Sequence, residues 1–463
     1  MDVSIMNKYN WSMVFERRFK AMRQGSMVFA RRFKDVRQGS MVFALRFKAV
    51  RQGCIIFGLV CSTMSVCAQV NVSFVDNIRT IQTHINGRWG EQPVILLGSG
   101  QYVDISFDDL QRSYVRYTYR ITHCNANWES SELYDGDYMT GINGSTVIDT
   151  YEQSVNTEML YNHYHFRLPN ATHKLLVSGN YQVDIFDDED DENPVASVCF
   201  SILEPKVGID MKVSANTDID SYQTHQQVDM TINYQTLSTT NPELELIPVV
   251  TQNRRWDSRV MELKPSYLRP SQLVYTHNRS LIFAAGNEYR RFEILSPYVP
   301  TMRVDKMKYE TSLYHAYIFE DQPAKNYKYD QDQNGRFLIR NSDNSNNDVE
   351  SDYFVTHFVL KTPQIPDGDL YLFGDLTDNM LWDENRMEYN LLEHQYEISV
   401  LLKQGSYNYQ YLFVRNGEAV GRTAPTEGDF HQTENEYCVY VYHRPFGGRY
   451  DKLVGFKSMN FKE

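Results

Sequence analysis

From Tyr102 onward, apolar and polar residues alternate in short runs, the period of a strand that buries one face. Tyr102-Val-Asp-Ile-Ser-Phe107, Tyr114-Val-Arg-Tyr-Thr-Tyr-Arg-Ile121, His163-Tyr-His-Phe-Arg-Leu168 and Tyr181-Gln-Val-Asp-Ile-Phe186 all follow it. Gly, Asn, Asp and Pro separate these runs, which predicts antiparallel strands in a sandwich. Gln227-Val-Asp-Met-Thr-Ile-Asn-Tyr234 repeats the pattern, and the apolar run Leu246-Ile-Pro-Val-Val-Thr251 carries Pro248, which assigns it to a sheet edge. Further strands are predicted over Phe354–Leu360, Leu370–Phe373, Tyr396–Leu402, Tyr407–Val414 and Tyr437–Tyr442. The expected fold class is all-β.

The boundaries expected are 1–68 for an N-terminal extension, 69–205 for a first sandwich, 206–340 for a middle β domain and 353–463 for a C-terminal sandwich and tail. Pro205 marks the first break, and Asn341-Ser-Asp-Asn-Ser-Asn-Asn-Asp-Val-Glu350 reads as a polar linker over 341–352. The extension holds three near-copies of a 14-residue unit, S-M-V-F-x-x-R-F-K-x-x-R-Q-G, at 12–25, 26–39 and 40–53. They read as a duplicated coding stretch ahead of a start at Met41, since repeats build structure only when stacked units share a core. Cys54 to Val66 is an apolar run of 13 residues, shorter than a span of about 20. With Arg46, Lys48 and Arg51 before it and Val66-Cys67-Ala68 after it, the run fits a cleaved signal peptide, giving a mature start near Gln69.

Charge sharpens this division. The first 69 residues carry 12 Lys and Arg against Asp2, Glu16 and Asp35, while the rest carries 34 basic against 56 acidic residues, a net −22. A surface that acidic repels phosphate backbones and anionic lipid, which excludes nucleic acid as a partner and predicts no direct membrane span. Export leaves Cys124, Cys199 and Cys438, too few and too odd a number for a disulfide framework. They read as buried thiols, with a Cys124–Cys199 bridge as the alternative.

No phosphate loop, His-Glu-x-x-His or Gly-x-Ser-x-Gly occurs, so no catalytic residue, metal or cofactor is assigned. His163 and His165 share a strand face but lack a third ligand nearby and read as a polar face. Asp187-Asp-Glu-Asp-Asp-Glu192 lacks the spacing and glycine of a calcium loop and reads as a solvated acidic turn. Arg254, Arg255, Trp256 and Asp257 group an aromatic with two guanidinium groups, the side chains that anchor interfaces, and are the expected partner contact. The competing reading makes Trp256 core and pairs Arg255 with Asp257.

The run Ile105-Ser-Phe-Asp-Asp-Leu110, then Tyr117-x-Tyr-Arg-Ile-Thr-His-Cys-Asn-Ala-Asn-Trp128, Ser154-Val-Asn-Thr157 and Tyr161-Asn-His-Tyr-His-Phe-Arg-Leu-Pro-Asn170 resembles the type IX secretion system plug protein family. Arg255-Trp-Asp-Ser-Arg259, Gly286-Asn-Glu-Tyr-Arg-Arg-Phe292, Leu401-Leu-Lys-Gln-Gly-Ser-Tyr-Asn-Tyr409, Tyr442-His-Arg-Pro445 and Arg449-Tyr-Asp451 extend the likeness along the chain. The resemblance implies a monomeric, non-enzymatic periplasmic protein at the inner face of the outer membrane. It would dock on a large translocon barrel and close the channel in the resting state, without a cofactor.

More faintly, Leu370-Tyr-Leu-Phe-Gly-Asp-Leu376 and Gly405-Ser-Tyr-Asn-Tyr-Gln-Tyr411 are similar to the early-set, immunoglobulin-like sandwich modules that bind starch or glycogen. The fold expected is therefore tandem immunoglobulin-like or early-set sandwiches. The alternative function is a periplasmic glycan-binding accessory protein, for which Trp382 alone is available as the stacking residue.

Overall fold

A sheet with one apolar face must cover it with a second sheet, and the first sandwich does so with strands from residues 72–203. In one sheet Gly179–Asp187 is central, flanked by Tyr117–Cys124 and Asp190–Leu203. The other sheet orders Ile78–Ile85, Val103–Asp109, Asn162–Leu168 and Tyr151–Gln153. Val103, Ile105 and Phe107 meet Ile121, Val183 and Phe200 between the two layers, the inward positions of the period-2 pattern. The structure is a computed structural model that describes residues 71–144 and 146–462. The repeats, the signal peptide, its cleavage site and the cysteines before Gln69 lie outside those residues.

The second sandwich departs from the boundaries expected. One layer comes from Gly208–Ser214, His225–Asn233, Tyr267–Arg269, Gln272–Tyr275 and Ile282–Ala284. The facing layer joins Leu246–Gln252 to Glu436–His443 and Lys452–Asn460, so the last strands of the chain complete the middle domain. Pro248 does lie on an edge strand, opposite Val441. The strand Glu436–His443 is buried on both faces, which is why its sequence shows no polar alternation. Tyr437, Val439 and Val441 enter the second core, while Cys438, Tyr440 and Tyr442 point toward the first sandwich.

The third sandwich is inserted between these strands. Arg290–Ile294, Phe337–Ile339, Gly368–Phe373 and Gly405–Arg415 form one layer. Val304–Glu310, Leu313–Ile318, Tyr353–Leu360, Glu388–Asn390 and Gln395–Lys403 form the other, with Phe292, Phe358, Leu372 and Tyr409 in the core. Residues 341–352 therefore lie within this sandwich, and the linker expectation is corrected. Asn341 Oδ1 accepts from Asn344 N at 2.7 Å, Asn347 Oδ1 from Asn341 N at 3.0 Å, and Glu350 Oε2 from Asn346 N at 2.9 Å. The polar side chains that look like linker composition are folding the loop onto itself, as Asn and Asp do in turns.

Candidate functional site: the joints between sandwiches

Three sandwiches on one chain can flex about their connections unless side chains lock them, and here each pair is locked. Arg254 to Asp257 were the expected partner contact, with Trp256 as core and Arg255 paired to Asp257 as the competing reading; Trp256 and Arg255 are buried, as the competing reading has it, and Arg254 and Asp257 are half-buried. Trp256 is 4% exposed and packs edge-on against Trp128 of the first sandwich, with ring centroids 6.3 Å apart. Around them Cys124, Ala126, Cys199 and Leu203 of the first sandwich meet Val249, Cys438, Tyr440 and Tyr442 of the second. Arg255 is buried and forks onto Asp257, Nε to Oδ1 at 3.1 Å and a terminal nitrogen to Oδ2 at 2.7 Å, while also donating to the Gly421 carbonyl at 2.5 Å. Burial acts to strip the Arg255 charge, but Asp257 outweighs it and holds the guanidinium above its ordinary range. Arg254 reaches Asp375 of the third sandwich at 2.9 Å. The four residues are joint material.

The joint between the first and third sandwiches is a buried polar cluster. Asp108 receives Lys403 Nζ and Tyr353 Oη on Oδ2, both at 2.6 Å, and its Oδ1 lies 2.6 Å from His163 Nδ1. Lys403 also sits over the Tyr161 ring, 4.2 Å from its centroid, and donates to the Asp348 carbonyl at 2.6 Å. Burial alone would raise the Asp108 pKa, yet Lys403 and His163 together hold it below the ordinary carboxylate value. Asp352 extends the joint by accepting the backbone N–H groups of Glu158 at 2.7 Å and Met159 at 3.1 Å. His163 is therefore buried at this joint as a hydrogen-bond partner of Asp108, where the sequence suggested a polar strand face.

All three sandwiches meet at Glu436. Its Oε2 accepts from Arg336 at 2.6 Å and from Gln92 Nε2 at 2.9 Å, and its Oε1 accepts from Ser458 at 2.9 Å. Trp89 of the first sandwich donates to the Phe337 carbonyl of the third at 2.7 Å. A polar cleft of about 80 Å³ remains here, lined by His84, Trp89, Arg254, Arg336, Asp375 and Asp378, among others. Asp378 is pushed up to about 7, first by burial and also by Asp375.

The other residues singled out in the sequence stand apart from these joints. Trp382 is half-buried before the short turn Asp383–Asn385, whose Asn385 N donates to the Trp382 carbonyl at 3.0 Å. Asp187 to Glu192 form the exposed tip of a hairpin, in which Asp190 Oδ1 accepts from the backbone of Glu192 and Asn193 at 3.2 and 3.3 Å. Among the described residues no group of three His, Cys, Asp or Glu side chains could hold a metal ion, and no helix is long and apolar enough to cross a membrane. The Asp108 cluster was missed at the sequence level. Its only signal was the pair of acidic residues in Ile105-Ser-Phe-Asp-Asp-Leu110, where alternation alone would allow a single polar position.

The comparisons with known proteins agree with this architecture. The family model described as Type 9 secretion system plug protein 1st domain matches residues 78–204, the extent of the first sandwich. A solved crystal structure of a hypothetical protein from Parabacteroides merdae ATCC 43184 superposes with a TM-score of 0.84 at 43% identity. It covers 85% of this chain and 100% of its own. No curated protein matches. The chain belongs to the type IX secretion system plug protein family.

Proposed function

We propose that this chain is a non-enzymatic periplasmic plug that docks on the type IX secretion translocon of the outer membrane and closes its channel in the resting state. The observation that carries the reading is the locking of three sandwiches into one body by buried contacts: Trp128 on Trp256, Asp108 with Lys403, and Glu436 with Arg336 and Gln92. A channel wide enough for folded cargo leaks solutes unless a stiff body obstructs it, and a body that bent at its joints would leave gaps. Paired sheets supply the stiffness and the exposed loops supply the attachment. Such a body needs no cofactor or reactive group. Export by a Sec-type signal peptide would deliver it to the inner face of the outer membrane.

The test is a permeability assay in cells that make the translocon. Deleting this gene together with the cargo shuttle should admit large antibiotics and dyes that intact outer membranes exclude, and restoring the wild-type chain should reverse the leak. An intact barrier in the double deletion, or turnover of a substrate by the purified protein, refutes the proposal.

A further inference from the structure

The hairpin that joins Glu436–His443 to Lys452–Asn460 ends in Pro445-Phe446-Gly447-Gly448. Gly448 N donates to the Pro445 carbonyl at 2.8 Å, and Gly447 has φ of +75°, so this is a turn that requires glycine at its third position. Phe446 takes the second position and is 98% exposed. Water is a poor place for a phenyl ring, and a mobile tip would at least let it fold back. This tip is braced on both sides.

Arg444 N donates to the Glu245 carbonyl at 2.9 Å, and Arg444 Nε binds Asp451 Oδ1 at 2.7 Å. Asp451 Oδ2 in turn accepts from Ala126 N of the first sandwich at 2.9 Å. Arg449 pairs with Asp137 at 3.0 Å and its carbonyl accepts from Glu132 N at 3.3 Å. Two of the other strongly exposed apolar side chains flank these braces: Tyr134, 80% exposed, in the loop that holds Arg449, and Leu244, 76% exposed, beside Glu245.

We propose that Phe446 is an anchor that inserts into an apolar pocket on the periplasmic rim of the translocon barrel, with Tyr134 and Leu244 on its margin. The identity of the partner rests on the function proposed above. Three features of the hairpin fit a protein pocket. Arg444 and Arg449 spend their charge on Asp451 and Asp137, so the tip offers an uncharged centre for recognition. The three side chains present on the order of 500 Å², a large part of the ~800 Å² that one side of a standard interface buries. The braces fix the backbone in advance, so docking need not order a loop, which is where exposed aromatic anchors otherwise lose affinity. A lipid surface fits less well, because the body behind the tip carries a net −22 after Gln69 and anionic headgroups repel it.

The experiment uses the full tagged chain expressed in cells that make the translocon, with the barrel recovered from solubilised outer membranes. Phe446→Asp should lower barrel recovery by about tenfold or more, with the melting temperature unchanged because the ring is 98% exposed. A photo-crosslinking phenylalanine analogue at 446 should give an adduct with the barrel. Equal recovery with Phe446→Asp and no adduct overturns the anchor while leaving the plug reading intact. An adduct with a second copy of the chain, or vesicle binding that Phe446→Asp abolishes, overturns the barrel as occupant. A wild-type chain that recovers no barrel refutes the plug reading itself, and the anchor with it.

Discussion

Lys403 reaches out of the third sandwich to Asp108 of the first across 2.6 Å, and both side chains are almost wholly excluded from water. Removing the cation strands a buried carboxylate, the circumstance in which breaking such a pair costs about 3–5 kcal/mol. Lys403→Met should therefore lower the urea midpoint sharply. The double variant Lys403→Met/Asp108→Asn should recover part of the loss, because it leaves no charge to compensate. If the single and double variants unfold alike, the pair does not hold the joint.

Trp256 gives the opposite expectation from a partner-contact residue. Replacing it by Ala opens a cavity against Trp128 and should cost about 3–5 kcal/mol, as large core truncations do. Barrel recovery per folded molecule should stay at the wild-type level. Thermal unfolding alongside quantitative copurification separates the two roles.

What the sequence made legible follows from what is local. Alternation located the strands because side-chain direction in a strand depends on immediate neighbours, and Pro248 reported an edge because its missing N–H is a local property. The insertion of the third sandwich was not legible, since Leu246–Gln252 finds its partner Glu436–His443 more than 180 residues downstream and nothing in either run names the other. The Arg-Arg-Trp-Asp group left two readings open for a chemical reason. A joint inside a chain and an interface between chains both bury Trp beside paired Arg, so composition cannot tell them apart. The exposure of Phe446 was not legible either, because it depends on where the hairpin projects.

Glu288 predicts a specific pH dependence. It is 6% exposed, its Oε1 accepts from Tyr327 at 2.8 Å and Glu434 N at 3.1 Å, and its Oε2 is buried with no hydrogen-bond partner among the described residues. Burial, with Asp332 and Glu434 adding to it, raises its pKa from 4.5 to about 7. The folded chain then holds a proton that the unfolded chain has released, so this group's contribution to stability falls as pH rises from 4.5 to about 7 and is flat above. Glu288→Gln should remove that slope, matching wild type near pH 5 and exceeding it at pH 8. Melting temperatures at both values check this, and an unchanged difference between them contradicts it.

The thiols provide a test of strand order. Cys124 and Cys199 sit on the two strands that flank Gly179–Asp187, opposite Asn180 and Gln182 respectively. Two interstrand spacings alone separate them by about 9–10 Å, and the two-residue offset along the strands adds to that, beyond the ~7 Å limit for a disulfide, so the bridge weighed from the sequence is not formed. Cys438 faces the same interior cluster from the second sandwich, and burial drives its pKa far above the ordinary thiol value. The protein from Gln69 onward should therefore resist thiol reagents while folded and titrate all three cysteines once denatured, with the same result whether or not reductant was present. A single reactive thiol under denaturing, non-reducing conditions would mean that a disulfide has formed, which this strand order does not permit between Cys124 and Cys199.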